Sequence, residues 1–265
     1  MLSASAGTIF VGFDVRKPPF DDKKVRQALN YAIDRDHVVD LLGGPTSWRA
    51  TCQILPPNFQ GYEPFCPYTL DPDAAVWSAP DPDRARALVE DADAIGEEVT
   101  VWVMKEDPFL VDPVKTMRYV VEILNELGLR ANLKIVSNVN EYFDTIFEAP
   151  AGSESHPQVY LSGWGPDYPR ADTFIADQFR CGAPANTSGL CSDSLDAEIE
   201  EAQRLEATDP TASNSAWTEI EHQLVEDAAW APLTNPVAAY AFSARAENIQ
   251  FHPYWGILLS RLWVQ

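Results

Sequence analysis

Apolar residues in the middle of this 265-residue sequence alternate between a period of two and a period of three to four. The first period is typical of strands, and the second of helices that bury one face. The stripes, in chain order, are Ala85, Leu88, Val89 and Ala92 (helix), Val99, Val101 and Val103 (strand), Val114, Met117, Val120, Val121, Leu124 and Leu127 (helix), Ala131, Leu133 and Ile135 (strand), Tyr142, Phe143, Ile146 and Phe147 (helix), and residues 159–164 (strand). This alternation predicts an α/β fold with a mostly parallel sheet flanked by helices.

One strand and one helix are predicted before this region. The strand is Thr8–Phe13, and the prolines that follow it end it because proline donates no ladder hydrogen bond. Asp21 and Asp22 stand where a helix N-cap and a first-turn acid belong. The helix that follows has one buried stripe, consisting of Val25, Ala28, Leu29, Ala32 and Ile33.

The rest of the chain contains a long loop, two helices and a strand-like end. Residues 43–81 are rich in Pro, Gly and Asp and show no sustained period, which predicts a loop. Thr208-Asp209-Pro210 separates two helical stripes, and the last 35 residues are strand-like.

The net charge excludes one class of partner. Forty acidic and nineteen basic side chains give −21, so long-range repulsion disfavours nucleic acid. Charges or prolines interrupt every apolar run before the roughly 18 residues that a membrane-spanning helix needs. Residues 1–7 lack the basic and apolar segments of a signal peptide, so we expect either that such a signal has been removed or that the protein stays in the cytosol.

The four cysteines fall into two local pairs. Cys52 and Cys66 lie in the proline-rich loop, and Cys181 and Cys191 lie in a second loop-like stretch. Neither pair has CxxC spacing, which favours disulfides formed in an oxidising compartment over a zinc or redox site. Of three possible pairings, neighbours in sequence are favoured, and the alternative is four reduced thiols packed as small apolar groups.

The usual catalytic signatures are absent. The sequence has no serine-hydrolase elbow, phosphate-binding glycine loop, dinucleotide fingerprint or HExxH helix. Its four histidines lack metal-ligand spacing, and its acidic runs are typical of solvated helix faces. We therefore expect no enzymatic activity, no metal and no cofactor.

One segment carries candidate binding residues. Trp164, Asp167 and Tyr168 follow the predicted strand 159–164, and open α/β sheets bind ligands at the carboxyl ends of their strands. Two aromatic rings supply flat walls, and a carboxylate supplies an anion for an amine or a hydroxylated ligand. The alternative is that both rings pack into the core and that Asp167 caps a helix beginning near Ala171.

Several stretches together resemble one family. Phe20-Asp21-Asp22 and Val25-Arg26-Gln27-Ala28-Leu29-Asn30-Tyr31-Ala32-Ile33-Asp34-Arg35 resemble the signature helix of the family 5 extracellular solute-binding proteins of bacterial ABC importers, the peptide, dipeptide and nickel group. The helix at residues 81–92, the run Gly163-Trp164-Gly165-Pro166-Asp167-Tyr168-Pro169 and Ala231-Pro232-Leu233 look like the same family in the same order. The resemblance implies a type II periplasmic-binding-protein-like lobe.

The resemblance also implies roles for the candidate residues. In peptide-binding members the aspartate that matches Asp167 holds the α-ammonium group of the ligand, and Trp164 and Tyr168 match the neighbouring aromatic residues. The family continues with Asp-Pro where this chain has Arg170-Ala171-Asp172. The implied partners are a peptide or other small solute and a membrane permease, and the implied location is extracellular or periplasmic, with the full-length form tethered to the membrane.

Family members consist of two lobes, and the resemblance implies that lobe one is largely missing here. The expected division is a hinge-crossing segment at residues 1–19, the ligand-binding lobe (lobe two) at 20–233 and a return segment towards lobe one at 234–265. Two alternatives remain: a cytosolic sensing module that reuses this fold, and a hydrolase that uses unpatterned carboxylates.

Overall fold

A mixed sheet forms the centre of the protein. The computed structural model describes residues 2–4, 6–57, 59–252 and 254–265, so Met1 and Ser5 of the segment considered for a signal peptide lie outside it. In the described chain, seven strands form one sheet in the order β1-β7-β2-β6-β4-β5, with β3 also paired to β7. The strands are β1 (Leu2–Ala4), β2 (Thr8–Phe13), β3 (Trp48–Ala50), β4 (Glu98–Met104), β5 (Arg130–Val136), β6 (Val159–Trp164) and β7 (Trp230–Ala239).

Helices flank this sheet, which confirms the α/β class. They are α1 (Lys23–Ala32), α2 (Arg35–Leu41), α3 (Pro82–Asp91), α4 (Pro113–Glu126), α5 (Val139–Glu148), α6 (Asp172–Phe179), α7 (Asp193–Glu206) and α8 (Pro210–Glu226). Three of them begin at an Asp-Pro pair, where the aspartate side chain accepts a backbone N–H and proline fills the first helical position: α3, α4 and α8. Asp22 caps α1 by accepting the N–H of Lys24.

The expectation of a mostly parallel sheet is wrong. Only β4–β5 and β4–β6 are parallel, whereas β2 runs antiparallel to both β6 and β7, and β1 and β3 run antiparallel to β7. Strand-helix alternation makes strands parallel only where a helix returns the chain to the same end of the sheet. Helices connect β4, β5 and β6 in this way, so these strands are parallel. Among the described elements, no such helix connects β2 to its neighbours β6 and β7 in the same direction, and these pairs are antiparallel.

The central strands carry the aromatic core. Phe10 of β2 stacks on Trp230 of β7 with ring centroids 3.5 Å apart. The ring of Tyr160 from β6 covers Gly12, where a Cβ atom would collide with it. Most of the predicted stripe of α1 is buried: Val25, Ala28, Leu29 and Ile33 are at most 1% exposed, whereas Ala32 is half-buried.

Three polar residues of the signature helix region are buried as well. Arg26 donates to the carbonyls of Phe20, Asp227 and Ala228, and Asn30 donates to those of Arg26 and Trp230. Arg35 donates to the carbonyls of Thr51, Pro232 and Asn30 and to the Asn30 side chain. Arg26 thereby joins α1 to the turn between α8 and β7, and Asn30 and Arg35 join α1 and α2 to β7 itself.

The long loop after α2 is held by a disulfide and a buried acid. Apart from β3 and one 3₁₀ turn at Pro72–Ala74, the described residues of 43–57 and 59–81 are irregular, as predicted. Cys52 pairs with Cys66 and Cys181 pairs with Cys191, at Cα–Cα distances of 5.1 and 4.6 Å, which is the predicted pairing. Glu221 of α8 accepts the backbone N–H groups of Ile54 and Leu55.

The end of the chain forms two small hairpin-like pairs. β8 (Ala246–Glu247) pairs with β11 (Trp263–Val264), and β9 (Phe251–His252) pairs with β10 (Gly256–Ile257). The hydroxyl of Tyr254 donates to the carbonyl of Pro166 at 2.9 Å, which fixes this segment against the loop after β6. In the described part of the chain, no helix has the length and apolar composition to span a membrane.

Candidate functional site

The loop from β6 to α6 is folded back on the first turn of α6. The indole N–H of Trp164 donates to the carbonyl of Thr173 at 2.6 Å. The backbone N–H of Asp167 donates to the Thr173 hydroxyl at 3.1 Å. Trp164 is half-buried. Its ring therefore contributes to packing and its polar edge fixes the loop.

The Asp167 carboxylate is exposed and has no partner among the residues that the structure describes. Asp167 is exposed, and no described residue makes a hydrogen bond or an ion pair with its side chain. The N-cap of α6 is Ala171, and no side chain caps that helix. Asp167 is therefore not a helix cap, which removes the structural alternative for this residue.

Two further carboxylates lie near Asp167. The Tyr168 hydroxyl, on a residue 41% exposed, donates to Asp172 Oδ2 at 3.1 Å, and partial burial followed by the charge of Asp172 raises the pKa of Tyr168. Burial, followed by the charges of Asp172 and Asp167, raises the pKa of Asp177. Arg170 of the same loop forms ion pairs with Asp172 and Glu206, whereas no described cation pairs with Asp167 or Asp177. The surroundings of Asp167 therefore favour a cation over an anion.

A groove opens at the carboxyl ends of β4 and β6, which we name the strand-end groove. Its volume is about 830 Å³, within the range of small-molecule sites. Trp164 and Gly165 form part of its wall, whereas Asp167 and Tyr168 are not among its lining residues. The other large apolar side chains in the wall include Leu42, Trp48, Met104, Phe109, Val111 and Phe143.

Sequence reasoning missed most of the groove. Besides β6 and the residue after it, its lining comes from β2, the end of α2, β3, the end of β4 and the loop after it, α5 and β7, which are far apart in the chain. One signal was available: Phe109, Leu110 and Val111 form an apolar run just beyond the carboxyl end of β4. In the residues described, no group of three or more His, Cys, Asp or Glu side chains is arranged to hold a metal ion.

Comparison with known proteins places the chain among binding proteins. The model of "Bacterial extracellular solute-binding proteins, family 5 Middle" matches residues 2–186. A probable di/tripeptide-binding protein of Pseudomonas aeruginosa is 26% identical over 254 residues, covering 93% of this chain and 44% of its own length.

Solved structures show the same fold. HbpA2 from Haemophilus parasuis has a TM-score of 0.83 at 18% identity, and the match covers all of this chain and 49% of HbpA2. A dipeptide-binding protein from a Pseudoalteromonas species, solved with Met-Leu, has a TM-score of 0.75 at 22% identity, covering all of this chain and 50% of that one. The chain thus spans about half the length of the relatives it matches. Because the family match covers more than half of the 265 residues, the chain belongs to the family 5 bacterial extracellular solute-binding proteins.

Proposed function

We propose that this chain is the ligand-binding lobe of a periplasmic or extracellular receptor for an ABC importer, tethered to the membrane in its full-length form. It binds a peptide or a similar small solute in a cleft that a second lobe completes, and it delivers the solute to a membrane permease without catalysing a reaction. The names of the relatives support this proposal, since they include a di/tripeptide-binding and a dipeptide-binding protein. The coverage of about half of each relative supports a second lobe.

In this proposal residues 20–233 form the binding lobe, and the segments 1–19 and 234–265 lead towards its partner. β2 of the first segment lies beside β7, the strand that leads from residue 230 into the last segment, as expected for two segments that cross together between lobes. Closure of the lobes around the ligand is the change that the permease recognises.

The observation that carries the proposal is the free carboxylate of Asp167. An exposed anion that no described residue pairs with, beyond the carboxyl end of β6 where α/β sheets bind ligands, is available for a ligand cation. When a second lobe buries it, such a carboxylate is stable only beside a cationic or multiply donating partner. The α-ammonium group of a peptide meets that requirement. Tyr168 follows Asp167 directly in the chain, and Trp164 lies three residues before it.

Calorimetric titration of the complete two-lobed protein tests this assignment. Asp167→Asn is expected to weaken a peptide with a free amino terminus by about 2 to 5 kcal/mol, the usual effect of removing one member of a buried charge pair. Acetylation of the peptide should weaken its binding to the wild type by a similar free energy. It should weaken binding to the variant little further, because acetylation and the substitution delete the same interaction. Asp91→Asn, at an exposed position of α3, is the matched control and should bind both peptides as the wild type does.

Equal weakening of both peptides by Asp167→Asn would contradict the ammonium assignment. Since Asp167 caps no helix and forms no ion pair with a described residue, its replacement should change the free energy of unfolding by less than about 0.5 kcal/mol. A loss of binding in the variant is then not attributable to misfolding.

A further inference from the structure

We infer that the strand-end groove receives a bulky, uncharged apolar side chain of the ligand. This inference rests on the proposed function and adds a ligand class to it. The wall of the groove joins parts of the chain that are distant in sequence, and it includes side chains that are already buried, such as Leu42, Met104 and Leu161. The surface is therefore preformed and apolar, as ligand-side-chain pockets are.

The charges of the groove exclude an anionic side chain. Asp107 is the charged residue among the described lining residues, and no lysine or arginine is present there. Its Oδ1 atom accepts the backbone N–H groups of Phe109 at 2.7 Å and Leu110 at 3.2 Å, so one carboxylate oxygen already folds the loop. An anionic ligand group would find no cation, and it would also meet the net charge of −21.

That loop holds apolar side chains towards solvent. The turn at Asp107 presents Phe109, 80% exposed, and Val111, 74% exposed, at the wall of the groove, and Phe143 from α5 is also exposed. A cluster of exposed apolar side chains beside a cavity marks a binding surface, because covering it removes apolar area from water.

The position of Asp167 selects a ligand side chain as the occupant. Gly165 lines the groove and lies two residues before Asp167, so their Cα atoms are at most about 7 Å apart. Two residues of a bound peptide span the same distance. One small peptide can therefore place its ammonium group at Asp167 and an apolar side chain in the groove. A protein partner that covered the groove would not need to place a cation at Asp167, so the small peptide accounts for both features.

Three dipeptides with free termini serve as probes: dileucine, diserine and diglutamate. Titrated into the complete two-lobed protein, dileucine should bind at least about ten-fold more tightly than diserine, with diglutamate weakest, since partial burial of one side chain accounts for a factor of that size. Phe109→Ala should weaken dileucine about ten-fold and change diserine less than about two-fold. Val111→Asp should weaken dileucine further because it places a charge in the apolar wall.

Two variants outside the groove are the matched controls. Leu70→Ala removes an exposed apolar side chain, and Val139→Asp adds a charge at an exposed valine of α5. Both should bind all three probes as the wild type does.

The outcomes separate this inference from the proposed function. If the wild type binds the three probes with equal affinity and Asp167→Asn weakens all of them, the groove assignment is overturned and the ammonium site stands. The same conclusion follows if Phe109→Ala and Val111→Asp do not change the affinity for dileucine while Asp167→Asn does. If no dipeptide binds, both proposals fail. If sedimentation shows a dimer of the protein that Val111→Asp dissociates, the groove is a self-association surface and the inference is overturned.

Discussion

The Oε1 atom of Glu221 accepts a hydrogen bond from the backbone N–H of Ile54 at 2.9 Å, so a carboxyl group of α8 holds the loop that follows Cys52. The side chain is fully buried, and burial raises the pKa of Glu221 from 4.5 to about 7 even though the N–H groups of Leu55 and Ile54 act in the opposite direction. This pair therefore links the stability of the loop to pH.

Stability is expected to decrease as the pH rises from 4.5 to 7. The folded protein binds the Glu221 proton more tightly than the unfolded chain does. The contribution of this proton to the free energy of unfolding is therefore fully present below pH 4.5 and is lost as the pH passes 7. The loss corresponds to about 3 kcal/mol. Urea unfolding at several pH values measures it. Glu221→Gln should flatten this part of the profile, and Glu219→Gln, exposed on the same helix, should not. Parallel profiles for the wild type and Glu221→Gln would contradict the expectation.

Arg35 is expected to be a structural residue. Burial lowers its pKa to about 10, so the guanidinium stays charged at neutral pH while it donates to the carbonyls of Thr51 and Pro232. Arg35→Met leaves buried acceptors unpaired and should lower the free energy of unfolding by at least about 3 kcal/mol. Arg35→Lys should recover only part of this loss, since lysine lacks the planar fork. Arg86→Met, at an exposed ion pair, is the control, and an equal effect of both methionine variants would refute this role.

Leu29 should be a major contributor to the core. Its side chain is fully buried on the inner face of α1, so Leu29→Ala is expected to cost about 2 to 5 kcal/mol through lost apolar burial and a residual cavity. Leu70→Ala, at a position 63% exposed, provides the same chemical change outside the core and should cost little. Thermal or urea unfolding of the two variants gives the comparison. Indistinguishable midpoints would mean that α1 does not pack as described.

Both disulfides should be present in protein matured in an oxidising compartment. Thiol counting on such protein, denatured without reductant, should find no free thiol, and four free thiols would contradict the expectation. Replacing Cys52 and Cys66 by serine should lower the free energy of unfolding by about 3 kcal/mol, because the disulfide reduces the conformational entropy of the unfolded chain. The cost is measured by urea unfolding beside the oxidised wild type.

Local patterns were sufficient to predict the elements that local rules govern. Asp81-Pro82 predicted the start of α3 because a cap and a fixed proline φ act within one turn. The stripe containing Val25 and Leu29 predicted the buried face of α1, and the sequence spacing of Cys52 and Cys66 predicted their pairing.

The strand directions depended on contacts that no local pattern contains. β7 includes Pro232 and Pro236, which argue against a strand inside a sheet. In the structure Pro232 faces Phe10 beside a register shift between Ile9 and Phe10, and Pro236 faces the short strand β3. These irregularities of the partner strands accommodate residues that cannot donate hydrogen bonds.

The candidate site was predictable in part. The predicted strand that ends at Trp164 correctly placed Asp167 just beyond the carboxyl end of β6. The role of Asp167 as the ammonium site stays a prediction. Phe109 and Leu42 meet only through the tertiary fold. Arg26, Asn30 and Arg35 were polar positions that periodicity assigns to a surface, and their burial depends on carbonyl groups more than a hundred residues away.

The pairing of β2 with β7 determines the order in which the protein is assembled. Val11 lies opposite Ala231, so the middle of the sheet closes only after about 220 further residues have left the ribosome. Contacts this distant in sequence fold slowly, because their loop entropy must be overcome first. A chain that stops before Trp230 leaves Phe10 without its stacking partner and β2 with an open edge, which is a template for aggregation.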